Sequence, residues 1–216
     1  FATRPFPPYL ADELRAVLDG RELGAREIAR LTRDLGRAFG RAARAFADEQ
    51  RVTLDLVGSH GQTVYHHDGN EPTGPATLQL GDGDFVAAAS GALTVSDFRS
   101  ADLAAGGEGA PLSGVLDGEL FPDAPRPLAI LNLGGMANVT FLAADAPAVA
   151  FDTGPANALL DGLARALLGQ PCDLDGAAAA RGRVNGALLT ELLRHPFFER
   201  APPKSTGRDT FGAEHV

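Results

Sequence analysis

The stretch "LAILNLGGMANVTFLAADAPAVAFDTGPANALLDGLARALLG", residues 128–169, decides the fold class. Two apolar runs, Leu128–Leu133 and Val139–Leu142, flank "GGMAN", the chemistry of a hairpin with a loop of several residues. A third run starts near Val149 and leads into Asp152. "TGPANALLDGLARALLG" then reads as a helix, with Pro155 early in its first turn and Gly169 just past its end. Strands that feed a helix in this way predict an α/β chain.

The same alternation runs upstream. "AREIARLTRDLGRAFGRAARAF" sets Ile28, Leu31, Leu35, Phe39, Ala42 and Phe46 at steps of three and four, the spacing of a helix with one apolar stripe. Arginines fill its other face, which reads as solvated because acidic residues surround it. A buried strand is predicted over 52–57, ending in the small polar turn "GSHGQT". A strand over 77–80, a short helix capped by Asp82 or Asp84, and a strand over 93–96 ending at Asp97 follow. "RSADLAAGGEGAPLSG" gathers Gly106, Gly107 and Gly109, a backbone able to approach a ligand closely, although on composition alone it also fits a flexible linker. Beyond 169, a loop around "CDLDGAAAARG" and a helix over 184–194 precede "FFERAPPKSTGRDTFGAEHV", which shows no closing element.

Composition narrows the function. The chain has 216 residues, 44% hydrophobic and 22% charged, enough to bury a core in one large or two modest domains. A net charge of −9 argues against a nucleic-acid binder, whose phosphate partner requires a basic surface; a small polar ligand fits better. The single cysteine, Cys172, forms no internal disulfide, and no apolar run reaches the 18 or more residues of a membrane span. The opening "FATRPFPPYL" is not a signal peptide, so the expectation is a cytoplasmic protein, processed or with its start further upstream.

Several motifs fail on their spacing. Val86 stands where a dinucleotide fingerprint built on Gly81 and Gly83 needs its third glycine, and Phe198 and Pro203 stand where "PPKSTG" would need phosphate-loop glycines. His66 and His67 are adjacent and point apart, and Cys172 has no CxxC partner, so no metal site is expected. "CDLDG" lacks the later ligands of a calcium loop and reads as a turn. Ser59 and His60 are sequence neighbours outside any nucleophile elbow, which argues against a hydrolase. What remains is a set of strand ends at Gly58, Asp97 and Asp152 with Gly-rich turns at 106–109 and 134–135. Group transfer uses such parts, a carboxylate to take a proton and backbone donors to hold substrate or phosphate. Asp152, read as lying just ahead of a helix N-terminus, is on this reasoning either a base kept ionised by the helix dipole or an ordinary N-cap worth about 1 kcal/mol.

Six segments in order, "VGSHGQTVYH", "SDFRSADLAAGGEGAPL", "LNLGGMANVTFL", "FDTGPANALLD", "DLDGAAAARGRVN" and "PKSTGRDTF", resemble the successive signatures of the anhydro-N-acetylmuramic acid kinase family. The resemblance implies an actin-like (ribonuclease H-like) sugar kinase fold. Two α/β domains would close on a cleft, with 1–125 most of the sugar-side domain and 126–216 the first part of the second. It implies conversion of 1,6-anhydro-N-acetylmuramic acid, with ATP and water, into N-acetylmuramic acid 6-phosphate during peptidoglycan recycling, with Mg²⁺ as the companion of ATP. It further implies that Asp152 activates the water that opens the anhydro bridge. His60, Gln62, Arg99, Asp102, Gly106, Gly107 and Asn157 would lie toward the sugar, and Gly134, Gly135 and Asn138 toward the phosphates. Glu108 stands where the family more usually has Gln, an added negative charge that disfavours an anionic group beside it. The family's opening G-x-M-S-G-T-S loop and its Gly-rich adenosine segment are not among these 216 residues. The chain therefore reads as the middle part of a member, inactive or poorly folded when isolated, with a family-like homodimer as one way to cover its exposed faces. The alternative is a non-catalytic, sugar-binding remnant of the same fold.

Overall fold

A computed structural model describes residues 2–18, 20–67, 74–207 and 210–212. They form two compact units, one from residues up to His66 together with Ala76–Gly107, the other from Glu108 onward.

The first unit is built on α1 (Pro8–Leu18) and the long α2 (Ala25–Gln50). Leu31 and Leu35 from the α2 stripe meet Leu10 and Leu14 of α1 and Leu80, all five buried, with Phe39, Ile28 and Val64 packed around them. On the arginine face, Arg30 pairs with Glu13 and Arg33 with Asp34, and Arg4 from the opening segment pairs with Glu49 near the end of α2. Exposed pairs of this kind contribute little to stability. Arg51 ends α2 in the left-handed conformation, and the Val52 N–H donates to the Ala47 carbonyl. Residue 52 therefore closes a helix, and the first strand, β1 (Leu56–Ser59), starts four residues later than the sequence pattern predicts.

β1 pairs in parallel with β4 (Leu93–Ser96), Leu56 opposite Leu93 and Ser59 opposite Ser96. β2 (Gln62–His67) and β3 (Ala76–Leu80) form a separate two-stranded sheet. Between β3 and β4, α3 (Gly83–Ser90) is capped by Asp82, whose carboxylate accepts the Asp84 N–H at 2.9 Å. α3 lies directly on α2, because Gly36 and Gly40 leave no side chain between the helices. A Cβ at Gly40 would stand 2.5 Å from the Val86 carbonyl oxygen, and one at Gly36 2.7 Å from that of Asp82. The short α4 (Ser100–Ala104) follows β4.

The second unit is an antiparallel meander of β5 (Leu128–Leu133), β6 (Met136–Leu142) and β7 (Val149–Pro155). α5 (Ser113–Leu120) packs on β6 and β7, with Gly114 against Ala150. The hairpin connection is Gly134–Met136, because Leu133 pairs with Ala137 across it while Met136 pairs with Pro155 on the other side; the loop of several residues expected from "GGMAN" is three long. β7 runs through Asp152 and on to Pro155, which pairs with Met136, and α6 (Asn157–Leu163) begins only after Ala156. A single π-helical turn over 164–168 extends α6 to Gly169, which takes the expected left-handed cap. α7 (Gly186–Leu192) is capped by Asn185, and a 3₁₀ turn over 196–199 leads to the closing segment. Among the described residues, no helix is long and apolar enough to cross a membrane.

Candidate active site

Asp152 occupies a strand interior, so neither half of the helix-terminus argument applies. It is not an N-cap, and no helix dipole begins beside it: the N-cap of α6 is Ala156, without a side-chain cap. "D-x-G-P" imitates a capped helix start, but here Gly154 adopts φ +142° and Pro155 continues the ladder.

Asp152 is only 5% exposed, an expensive place for a carboxylate unless polar partners meet it. The partners come from the segment Lys204–Thr206. The Asp152 backbone N–H donates to the Lys204 carbonyl at 2.8 Å, and the Thr206 backbone N–H donates to Asp152 Oδ2 at 2.9 Å. Charge-assisted bonds to a carboxylate are among the stronger ones and fix its orientation. Across the ladder, Asn138 is the residue opposite Asp152, at a register shift between Ala137 and Asn138. Directly opposed residues project from the same face, so the amide and the carboxylate share that side of the sheet. The Asn138 amide oxygen also accepts a bond from the Ser113 hydroxyl.

Aromatic packing holds Lys204–Thr206 in place. Phe197, Phe198 and Phe211 cluster with ring centroids 5.6–6.0 Å apart, and the Phe198 ring stands 2.9 Å from where a Cβ on Gly154 would be. Lys204 is buried; its ammonium lies 4.5 Å from the Phe197 ring centre and donates to the Phe197 carbonyl at 3.0 Å. Burial, and then the charge of Arg200, lower its pKa from the ordinary lysine value. The Ser205 and Thr206 hydroxyls are buried and have no hydrogen-bond partner among the described residues. No role for Ser205 or Thr206 is legible in the sequence, where the signal is a pair of small polar residues separated by Lys204 from Pro202–Pro203.

Gly134, Gly135 and Asn157 come together at the start of α6. The Gly135 carbonyl accepts the N–H groups of Ala156 and Ala158, the Gly134 carbonyl accepts that of Asn157, and the Asn157 side chain donates to the Leu133 carbonyl. The turn thus caps α6 with its carbonyls, using the amides a helix start would otherwise offer to an anion. Asn157 also lines a pocket of about 470 Å³ with Leu160, Asp161, Asp173 and Ala179. "CDLDG" is the expected turn: Asp173 accepts the Ala178 and Ala179 N–H groups, which lower its pKa.

The remaining residues lie in the first unit. His60 Nδ1 is 3.1 Å from the Gly61 carbonyl, and its Nε2 accepts from Arg99 Nε at 2.9 Å, which assigns the ring proton to Nδ1. Burial first, and the Arg99 charge second, push the His60 pKa down against the opposing pull of Gly61, so the ring is neutral when it holds Arg99. Asp102, on α4, shares its turn with Gly107, whose N–H donates to the Asp102 carbonyl at 2.8 Å. A Cβ on Gly107 would fall 2.2 Å from the Asp102 carboxylate, while Gly106 adopts φ +91° with open space around it. Gln62 turns to the Thr63 carbonyl. Among the described residues, no three His, Cys, Asp or Glu side chains gather as metal ligands.

A relative from Gloeobacter violaceus called anhydro-N-acetylmuramic acid kinase is 43% identical over 214 residues, covering 96% of this chain and 56% of its own length. Relatives of the same name from Azorhizobium caulinodans (45% identical, 95% of this chain, 58% of theirs) and Mannheimia succiniciproducens (40%, 96% and 56%) match similarly. The chain thus spans a little over half the length of the curated relatives it matches. The family model described as anhydro-N-acetylmuramic acid kinase matches residues 1–216, and the mixed α/β units fit the actin-like sugar kinase fold that this family implies. The chain belongs to the anhydro-N-acetylmuramic acid kinase family.

Proposed function

We propose that the protein is an ATP-dependent kinase that opens the 1,6-anhydro bridge of 1,6-anhydro-N-acetylmuramic acid and yields N-acetylmuramic acid 6-phosphate, serving peptidoglycan recycling in the cytoplasm, where ATP is available. The observation that carries this reading is Asp152, a buried carboxylate whose orientation is set by the Thr206 N–H, in a chain of this family. Asp152 takes a proton from water as the water oxygen attacks C1 of the sugar. The C1–O6 bond breaks, and O6 attacks the γ-phosphorus of ATP as the bond to the β-phosphate oxygen breaks, leaving ADP. The proton on Asp152 then passes to solvent. A positioned base of this kind contributes roughly 10²–10⁴-fold.

In the first unit, His60 in its neutral form orients the Arg99 guanidinium, a donor suited to an anionic group such as a lactyl carboxylate. Gly134 and Gly135 set the start of α6 with their carbonyls, and on this reading their own N–H groups lie toward the phosphates. Magnesium enters with ATP as its counter-ion; among the described residues no three His, Cys, Asp or Glu side chains gather to hold it. A homodimer is part of the proposal only as the family's implied assembly.

The test is ADP release by the full-length protein with ATP and 1,6-anhydro-N-acetylmuramic acid, with the product analysed for the 6-phosphate and, in ¹⁸O-water, for label at C1. Sugar-dependent ADP release with label at C1 supports the reading. Sugar binding without turnover overturns it in favour of a non-catalytic sugar-binding protein.

A further inference from the structure

We propose that Thr206 is a positioning residue of the Asp152 site, its hydroxyl holding the water from which Asp152 takes the proton; this rests on the kinase reading above. Two observations meet at this residue. Its backbone N–H donates to Asp152 Oδ2 at 2.9 Å, so the Thr206 side chain is carried by the same residue that orients the carboxylate. Its hydroxyl, three bonds from that nitrogen, has no hydrogen-bond partner among the described residues, although Thr206 is only 7% exposed. A buried hydroxyl without a partner is costly, and folded chains rarely keep one that no ligand or water uses. Lys204 and Phe197 anchor the segment from behind, so the hydroxyl is presented on a fixed backbone rather than a mobile loop.

A threonine hydroxyl can accept from a water and donate to it, whereas the ionised carboxylate only accepts. Together they define where the water oxygen sits and which of its protons leaves. The backbone N–H fixes the base, and the hydroxyl fixes the nucleophile. Removing the hydroxyl therefore acts on turnover, while sugar affinity, set elsewhere, stays the same.

The test compares Thr206→Val, Thr206→Ser, Asp152→Asn and the Thr206→Val/Asp152→Asn pair in the full-length protein, reading kcat, KM for the sugar and thermal midpoint. Thr206→Val is expected to lower kcat about 10- to 100-fold with KM unchanged, the span that one hydrogen bond to a reacting group supplies. Thr206→Ser is expected to retain most of the activity. The thermal midpoint of Thr206→Val should hold, because the hydroxyl bonds no other group among the described residues, and a merely structural threonine would not combine that result with a kcat loss. The double variant should be no slower than Asp152→Asn alone, since the two groups act on one proton transfer. Thr206→Ala, which relieves any crowding by the second methyl group, gives the same reading should the valine variant fold poorly. A kcat within twofold of wild type for Thr206→Val or Thr206→Ala, with Asp152→Asn inactive, overturns this proposal and leaves the base assignment standing. Full activity in Asp152→Asn overturns both.

Discussion

Replacing Gly40 by Ala tests how the first unit is closed. The new Cβ would lie 2.5 Å from the Val86 carbonyl oxygen, 2.7 Å from Ala89 Cβ and 3.0 Å from the Ser90 N. Two of these are backbone atoms of α3, so no rotamer change relieves them and the helices must separate. The upper end of overpacking applies, about 3 kcal/mol, against about 1 kcal/mol returned by the better helix propensity of alanine. The net destabilisation is about 2 kcal/mol, which in a chain of this length lowers Tm by about 4–8 °C. Gly118, in α5, has no atom within 4 Å of its would-be Cβ. There the propensity acts alone, near a helix end, and Gly118→Ala should raise stability by about 0.5 kcal/mol and Tm by about 1–2 °C. Thermal unfolding of the two variants beside wild type decides the matter. A Gly40→Ala protein as stable as wild type, or a Gly118→Ala protein that loses as much as Gly40→Ala, refutes the close approach of α2 and α3.

Two further outcomes follow from the sites. His60 has its folded pKa below the ordinary 6.5, so the unfolded chain binds its proton first. Stability from His60 is complete above that value and is lost as pH falls through the folded one. Urea midpoints of wild type and His60→Gln should therefore converge on the acid side of 6.5, and a gap that widens with acid would contradict the neutral His60–Arg99 bond. Gly154→Ala imposes φ +142° on an L residue and puts a Cβ 2.9 Å from the Phe198 ring, two residues from Asp152. A loss of about 1–3 kcal/mol is expected, and a variant with unchanged Tm would mean that Phe198 does not wall this strand.

Where residue chemistry and period coincide, sequence was enough. β4 at 93–96, β5 at 128–133 and the Gly169 helix end all stand where the pattern puts them, and of the two caps that it offers, Asp82 and Asp84, the structure uses Asp82. The α2 stripe gave Leu31 and Leu35 as core, but Gly36 and Gly40 were not legible, because a glycine contact leaves no apolar signal and depends on a partner helix far along the chain. The Asp152 environment was misread for a similar reason. A local rule about caps predicted a helix start, whereas cross-strand pairing with β6 carried the strand through to Pro155. Lys204–Thr206 has no period at all, and only its tertiary bonds to Asp152 reveal what it does.

The central claim is that the Asp152 carboxylate is the base. It is most directly tested by sugar-dependent ADP release from wild type and Asp152→Asn, with folding checked by thermal midpoint. Asparagine keeps the shape and can still accept the Thr206 N–H, but it cannot take a proton at neutral pH. The account predicts a folded variant slowed by about 10²–10⁴-fold in kcat. A folded Asp152→Asn protein that turns over at the wild-type rate would contradict it.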